Sequence, residues 1–384
     1  MGRGRIPGFQ SLMGRWRSRA VDVVRRAAMT EEMGEILSSQ LHWRNAVPVP
    51  RELCAFDGSS PYSELGAVTG SARSSSPPPP VFVTGRFRSG STLLWNLFRS
   101  VPGVTSYYEP FHERRWFDPA VHGGRVDPTH LGVSDYWAEY EGLAELGQHF
   151  SSEWKFRHLY MPASAWNPQM QRYIEVLIER SRGRAVLQFN EVDFRLSWLR
   201  ARFPAARIIH IYRHPRDQWC STLLEHAGQA MCRLRDFEDL DKLYLLPWAR
   251  DLRQYFPFLT VEGDAYAYEL YYQVWRLSHL FGRIYADLSL SFESLLASPR
   301  AGVRAILDAG GMAEVDAERL VALIKPVTVG KWRAFAEGDW FGEIEARVDG
   351  DLMNYATGLE AGEGPFKRET WEASLRAAQA GSRR

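Results

Sequence analysis

The sequence is poor in cysteine and in long apolar runs, and both shortages exclude classes of protein. Its 384 residues include three cysteines, Cys54, Cys220 and Cys232, whose spacing matches neither a zinc motif nor a disulfide framework. No run of 18 apolar residues occurs, so no membrane-spanning helix is predicted. The N-terminus also lacks the apolar core of a signal peptide. We therefore expect a cytoplasmic protein.

Net charge is also nearly absent, because 47 basic side chains oppose 46 acidic ones and leave +1. This balance does not favour a general nucleic-acid binder. Only five of the basic residues are lysine, so arginine supplies most of the positive charge. Hydrophobic residues make up 45% and aromatic residues 13%, which predicts a folded globular protein with a large core.

The stretch Val81–Thr92 has the order of a strand, a glycine-bounded loop and the start of a helix. This geometry binds phosphate, since the glycines let backbone N–H groups approach the anion and the helix dipole favours negative charge. The spacing from Gly85 to Gly90 matches the nucleotide-triphosphate loop, but Ser91 stands where that loop needs lysine. Arg88 supplies positive charge inside the loop. The pattern therefore favours an anion other than the β- and γ-phosphates of ATP.

Most of this loop is expected to contact the anion, and an ordinary tight turn is the alternative. Arg86 is expected either to be exposed or to contact the anion-binding residues without touching the anion itself. The residues predicted to bind are Arg86, Phe87, Arg88, Ser89, Gly90, Ser91 and Thr92.

A second predicted anion site follows the buried strand Arg207–Tyr212. Arg213 comes directly after the strand, Pro215 suits a first helical position, and Ser221 lies two turns into the helix. The guanidinium and the hydroxyl can address one anion. A simple ion pair of Arg213 with Asp217 or Glu225 is the alternative. Two phosphate sites on neighbouring strand ends indicate a nucleotide with phosphates at its 3′ and 5′ positions.

The two motifs resemble those of the sulfotransferases that use 3′-phosphoadenosine 5′-phosphosulfate (PAPS). The family loop P-[KR]-S-G-[ST]-[ST] corresponds to Phe87–Thr92, and the family's Arg and Ser eight residues apart correspond to Arg213 and Ser221. The arginine in the loop is closer to the carbohydrate and tyrosylprotein branches. The resemblance implies an α/β, P-loop-like sulfotransferase fold with a central parallel sheet flanked by helices on both faces. It implies PAPS as co-substrate, no metal, and a sugar, lipid or secondary metabolite as hydroxyl acceptor.

Three further segments strengthen the resemblance. Tyr107–His112 is similar to the F/Y-E-P stretch of carbohydrate sulfotransferases. Ser291–Leu295 looks like a late Y-E-D-L segment, with Phe292 in place of tyrosine. Gly330–Arg333 resembles a late basic loop that closes over the nucleotide, which implies contacts from Lys331, Trp332 and Arg333.

The chemistry needs a group that removes the acceptor's proton. The resemblance implies Glu109 as this base, with Arg88 stabilising the charge on the leaving phosphate. His112 is the alternative base, because its ordinary pKa is near neutral. A purely structural Glu109, pairing with Arg114 or Arg115, also remains possible at this stage.

Composition divides the chain into three parts. Residues 1–56 are predicted to be a basic, helical arm, which either contacts acidic lipid, is solvated or packs on the domain. Residues 57–80 form a Gly/Ser/Pro-rich linker. Residues 81–384 form the sulfotransferase domain.

Alternating strands and helices from Val81 onward predict a parallel sheet. Asn190, Glu191 and Arg195 follow one strand and are candidates for the acceptor cleft, and residues 113–165, without clear periodicity, for a wall over it. Strands are predicted at Val81–Thr84, Ala185–Phe189, Ile208–Tyr212 and Leu288–Phe292. Helices are predicted at Ser91–Ser100, Pro168–Arg182, Pro215–Arg235, Ala265–Phe281 and Pro299–Ala309.

Two rival functions come from other classes. A P-loop kinase or other NTPase is disfavoured by the missing lysine after Gly90. A catalytically idle nucleotide-binding module would retain both phosphate motifs but tolerate loss of Glu109 and His112.

Overall fold

Short apolar and β-branched runs form five strands, all of them parallel. The computed structural model describes residues 50–56, 78–261, 263–335 and 339–360. The strands are β1 (Val81–Thr84), β2 (Val104–Tyr108), β3 (Arg184–Phe189), β4 (Arg207–Tyr212) and β5 (Leu288–Ser291). Their order across the sheet is β2-β3-β1-β4-β5. The chain therefore crosses from β1 to one edge and later returns to the other side of β1, which places a topological switch point at the carboxyl end of β1.

Helices cover both faces of the sheet, as the side-chain pattern of β1 requires. Val81 and Val83 belong to one apolar core, and Phe82, on the opposite face, belongs to a second and larger one. The α-helices are α1 (Ser91–Arg99), α2 (Pro168–Arg180), α3 (Leu196–Arg202), α4 (Pro215–Thr222), α5 (Leu245–Leu252), α6 (Ala267–Tyr285), α7 (Phe292–Ala297), α8 (Pro299–Gly310), α9 (Ala317–Val321) and α10 (Trp340–Glu360). Helices α1 and α8 contribute to the first core, whereas α2, α3 and α6 contribute to the second.

The predicted fold class is confirmed, but helices α3, α5, α7, α9 and α10 were not predicted, and two further elements differ. Strand β2 was not predicted, although it places Glu109 directly at a strand end. The predicted helix Pro215–Arg235 is wrong beyond Thr222, where 3-10 turns replace it. The indole of Trp219 donates to the Ala230 carbonyl at 2.9 Å, which holds the following segment back against the helix. A tertiary hydrogen bond therefore ends the helix that the local sequence pattern would continue.

Part of the predicted N-terminal arm packs on the domain. Residues Arg51–Ala55 form a 3-10 helix in which Leu53 is buried. The Tyr285 hydroxyl of α6 donates to the Glu52 carboxylate at 2.5 Å. The rest of the arm and linker residues 57–77 lie outside the described residues. No helix in the described ranges is long and apolar enough to cross a membrane.

Close contact between α6 and β4 gives a test of the packing. A Cβ added at Gly282 would lie under 3.0 Å from the imidazole of His210, which is buried in the sheet. We expect Gly282→Ala to lower the free energy of unfolding by about 2 kcal/mol, because overpacking forces side chains and backbone to shift. Urea unfolding followed by circular dichroism measures the change.

Gly350→Ala in α10 is the matched control, since nothing lies within 4 Å of its added Cβ. Alanine is the better helix former, so this variant should be neutral or stabilised by up to about 1 kcal/mol. Equal stabilities of the two variants would contradict the close approach of α6 to β4.

Candidate active site

The loop after β1 has the compact backbone that its glycines predict. Gly90 has φ 97°, and a Cβ there would lie 2.5 Å from the Phe292 ring. At Gly85 a Cβ would meet the Ile211 carbonyl oxygen at 2.5 Å. Helix α1 begins directly after Gly90, so its first amide groups face the loop without partners inside the helix. The loop and helix start thus present N–H groups at the switch point of the sheet.

The two predicted phosphate motifs meet in the structure. Arg88 Nε donates to Ser221 Oγ at 3.1 Å, although 133 positions separate the two residues. Arg213 Nη1 donates to the Arg88 carbonyl oxygen at 3.3 Å. The loop after β1 and the helix after β4 therefore form one site, as neighbouring parallel strands allow.

Positive charge accumulates at this junction. Arg213 is buried, its guanidinium lies 5.4 Å from the centre of the Phe292 ring, and its Nε has no hydrogen-bond partner among the described residues. Within the described residues, Arg88 forms one ion pair, a long one of 3.6 Å with Asp127. Burial and, to a smaller extent, Arg213 lower the pKa of Arg88, while Asp127 raises it. Two close guanidiniums with little compensation favour binding of an anion.

The late basic segment is tied to the same helix. Asp217, in the first turn of α4, accepts from the N–H groups of Gly330 at 2.5 Å and Trp332 at 3.2 Å. The Trp332 ring stacks on His214 with centroids 5.9 Å apart. Lys331 and Arg333 are exposed. Asp217 thus holds the 330–335 segment beside the helix that carries Ser221, rather than pairing with Arg213.

A chain of polar side chains connects the loop with Glu109. Ser91 Oγ donates to Asn190 Oδ1 at 2.9 Å, and Asn190 Nδ2 donates to Glu109 Oε1. Glu109 is buried and has φ 39°, a left-handed conformation that L-residues rarely adopt. The structural alternative is not observed, because Arg114 donates to the Arg125 carbonyl and Arg115 pairs with Asp118.

The surroundings of Glu109 disfavour its ionised form. Burial is the main cause and the nearby Glu191 carboxylate the next, and together they raise the pKa of Glu109 to about 8. Lys155, 4.0 Å from Glu191 and ion-paired with Glu113, acts in the opposite direction. The site thus contains a carboxyl group with the proton affinity that a general base near neutral pH needs.

His112 lies next to Glu109, and the N–H group of its ring points toward the Glu109 carboxylate. The ring Nδ1 accepts from the Arg114 N–H at 3.0 Å and lies farther, 3.3 Å, from Glu113 Oε2. The shorter backbone contact favours the neutral tautomer with its proton on Nε2. Nε2 lies 3.6 Å from Glu109 Oε2, longer than a hydrogen bond. Burial and then Lys155 lower the pKa of His112 to about 3. This ring therefore stays neutral with an N–H toward Glu109.

The segment 113–165 contributes residues that sequence reasoning missed. Thr129 Oγ1 accepts from Arg88 Nη1 at 3.2 Å, and His130 Nε2 lies 3.5 Å from Thr92 Oγ1. Asp127 and Lys155 contact the site as described above. Their only signal is their place in a polar, aromatic-rich segment without periodicity. That segment was predicted to cover the acceptor site, and it does reach the loop.

Ser89 and Phe87 stabilise the loop, and Arg195 lies outside the proposed acceptor cleft. Ser89 is fully buried, with its Oγ beneath Gly85, and the Phe87 carbonyl accepts from Gln218 at 2.7 Å. All of the Arg195 hydrogen bonds go to backbone carbonyls, those of Trp154, Arg157, His158 and Glu191. Arg195 therefore orders the backbone instead of lining a cleft.

The prediction that Arg86 is exposed is wrong. Its side chain is buried, and its guanidinium lies 5.0 Å from the centre of the Trp248 ring. The Arg86 side chain packs on the Trp248 ring of α5 instead of pointing to solvent. The loop sequence does not indicate this contact, because it depends on the tertiary structure. The contacts of Arg86 are not those of Arg88, so its predicted role with the nucleotide stays a prediction.

Comparison with known proteins identifies the family. A model of the sulfotransferase family matches residues 79–316, more than half of the chain and all five strands. The chain belongs to the sulfotransferase family. The resemblance to the sulfotransferase family and the prediction of an enzyme are thereby confirmed. No protein with a curated description matches the sequence.

The similarity of the chain to solved structures is weak. Sulfotransferase STF1 from Mycobacterium tuberculosis H37Rv is 17% identical, with 70% of this chain and 76% of that chain covered and a TM-score of 0.37. The sulfotransferase domain of the Synechococcus PCC 7002 olefin synthase is 18% identical over 73% and 90%, with a TM-score of 0.32. Retinol dehydratase in complex with retinol and PAP is 15% identical over 79% and 86%, also at 0.32. The assignment of this sulfotransferase therefore rests on the family model.

The raised pKa of Glu109 predicts a pH-dependent stability. The folded protein retains this proton at pH values where the unfolded chain, with an ordinary value of 4.5, has lost it. The stabilising contribution is therefore complete below about pH 4.5 and is lost as the pH rises through about 8. Glu109→Gln does not titrate, so it should gain about 1 kcal/mol or more relative to wild type between pH 5.5 and 8.5. Urea unfolding at both pH values measures this, and a constant difference would show that Glu109 has an ordinary pKa.

Proposed function

We propose that this sulfotransferase takes its sulfuryl group from PAPS and transfers it to a hydroxyl group, with Glu109 as general base. The observation that carries the proposal is the meeting of Arg88, Ser221 and Arg213 in one site. Two adjacent phosphate-binding elements match a nucleotide with phosphates at both ends of its ribose better than a linear triphosphate chain.

The residues present fit the two ends of such a donor. Arg88, with the amide groups of the loop and the start of α1, would hold the 5′-phosphosulfate. Arg213 and Ser221 would hold the 3′-phosphate, and the buried, unpartnered Nε of Arg213 gives that phosphate a donor. The close approach of Phe292 to Gly90 fixes the loop from below.

Residues 330–333, which lie beside α4, would cover the bound nucleotide. Their tie to Asp217 places them next to the helix of Ser221. Lys331 and Arg333, both exposed, are free to turn toward bound phosphate. The proposed donor contacts of Lys331, Trp332 and Arg333 follow from this position.

Sulfuryl transfer forms a bond from the acceptor oxygen to sulfur and breaks the bond from sulfur to the 5′-phosphate. Positioning and stabilisation of charge contribute most to such a reaction. Arg88 lies where negative charge grows on the leaving phosphate, and a donor of this type contributes about 3 kcal/mol to the transition state. The acceptor's proton passes to Glu109.

The geometry favours Glu109 over His112 as the base. His112 carries its proton on the nitrogen that faces Glu109, so it has no free lone pair on that side. It is better suited to orient and stabilise the Glu109 carboxylate. Asn190 links Glu109 with Ser91 at the start of α1, which keeps the base next to the bound sulfuryl group.

The acceptor in this proposal is a sugar, a lipid or a secondary metabolite with a hydroxyl group. We also propose a cytoplasmic location, with a peripheral membrane contact through the N-terminal arm as a further hypothesis. Vesicle flotation with and without residues 1–48 tests that contact.

Donor binding is tested by removing the proposed 3′-phosphate contact. Arg213→Ala should weaken binding of 3′-phosphoadenosine 5′-phosphate (PAP) by about 2 kcal/mol, a thirtyfold change, because a buried charge-assisted contact is lost. Isothermal titration measures the affinity. Arg300→Ala, which removes an exposed arginine paired with Glu318, is the control and should change nothing. Unchanged affinity in Arg213→Ala, or tighter binding of ATP than of PAP by the wild type, would reject the proposed donor.

Turnover tests the base. Glu109→Gln should bind PAP normally but transfer labelled sulfate from PAPS about a hundredfold more slowly, because it cannot accept a proton. Wild-type turnover should rise as the pH passes through about 8, the pKa of Glu109. The acceptors are a panel of sugars, lipid alcohols and phenols. If Glu109→Gln retains turnover and His112→Gln does not, His112 is the base; no turnover by wild type across the panel would favour an idle binding module.

A further inference from the structure

A small cavity opens beside Arg86 and Phe87 of the phosphate loop. Its walls are mainly apolar and aromatic, and its empty volume is about 340 Å³ with the open mouth included. The enclosed part has room for a group of only a few atoms. The charged and polar residues that line it are Arg86, Thr222, Asp241, Lys242 and Tyr271, and Phe87 is one of its aromatic walls.

Arg86 lines this cavity and carries donors without a partner in the described part of the chain. The side chain is 5% exposed, and neither its Nε nor its Nη1 has a hydrogen-bond partner among the described residues. The buried hydroxyl of Tyr271, on the same cavity, also lacks one within that part of the chain. Buried polar groups are normally hydrogen-bonded, and a buried cation without a partner is costly. An acceptor group that reached these buried atoms from the cavity would satisfy them.

The carboxylates nearest to Arg86 are engaged elsewhere. Asp241 accepts from the N–H groups of Leu245 and Leu246, each at 2.7 Å, and so caps α5. Asp193 bonds with the hydroxyls of Thr84 and of Ser278, the latter at 2.6 Å. Both act on Arg86 only through space, and burial still lowers the pKa of Arg86. Arg86 is thus under-compensated in charge as well as in hydrogen bonds.

We infer that this cavity binds a carboxylate, and that the carboxylate belongs to the acceptor. A guanidinium presents two parallel N–H groups that match the two oxygens of a carboxylate. A single buried water is the alternative occupant.

The position beside the transfer site points to the acceptor. Phe87 and Thr222 line the cavity, and their chain neighbours Arg88 and Ser221 belong to the proposed donor site. Aromatic walls of Trp219 and Phe237 favour an apolar body between the two polar ends. The acceptor would then be a hydroxy acid with an apolar body. This class rests on the proposed function, whereas the carboxylate subsite does not.

The subsite is tested with benzoate and with benzamide, its neutral isostere, by isothermal titration of the enzyme with and without saturating PAP. Benzoate should bind the wild type and benzamide should not. Arg86→Gln should weaken benzoate binding at least tenfold, because the charged fork is lost. Arg86→Lys, which retains the charge without the fork, should give an intermediate affinity. Arg300→Gln, a variant of an exposed arginine, should match the wild type.

Three results would overturn the inference. Absence of benzoate binding to the wild type in either state would leave only a water site. Equal binding of benzoate and benzamide would show that charge is not recognised. Loss of PAP affinity in Arg86→Gln, with benzoate affinity retained, would assign Arg86 to the donor instead. If the wild type fails to bind PAP, the donor proposal fails, and the titration without PAP still decides the carboxylate subsite.

Discussion

Two guanidinium groups held side by side at the carboxyl ends of β1 and β4 are the constraint on which the site depends. Bringing Arg88 and Arg213 together is unfavourable without an anion, so the surrounding structure must fix them. The Trp275 indole of α6 donates to the Arg213 carbonyl at 3.2 Å and to Gln218 Oε1 at 3.0 Å. Gln218 in turn donates to the Phe87 carbonyl in the loop. One buried tryptophan therefore links both halves of the anion site.

Charge is divided across the sheet in a way that suits group transfer. The β1 and β4 ends carry Arg88 and Arg213, while the β2 and β3 ends carry Glu109 and Glu191. Lys155 lies between the carboxylates and the loop, 5.8 Å from the centre of the Phe87 ring. In the proposed function the positive side attracts the donor, and the burial of the negative side raises the proton affinity of Glu109. The proposed base and the proposed anion site can thus be neighbours without neutralising each other.

The sequence predicted what depends on local patterns. Glycine spacing, the strand before the loop and the Arg213–Ser221 interval are all short-range features, and the sheet topology then brings the two motifs together. Lys155, Asp127 and Thr129 could not be predicted, because they reach the site from an irregular segment whose contacts span tens of residues. Strand β2 was also missed, although its β-branched and aromatic residues carried a signal. The side to which Arg86 turns depends on Trp248, which lies far away in sequence.

Arg86 and Arg88 are two positions apart in the loop, yet they differ in every partner. Arg88 has the left-handed φ of 66° and contacts Ser221, Thr129 and Asp127. Arg86 packs over Trp248 on the other side. If donor and acceptor each carry negative charge, one loop with two opposed cations can hold both while keeping them apart by the thickness of a peptide chain. The mutual repulsion of two anionic substrates is then reduced where they must approach, since each faces its own guanidinium.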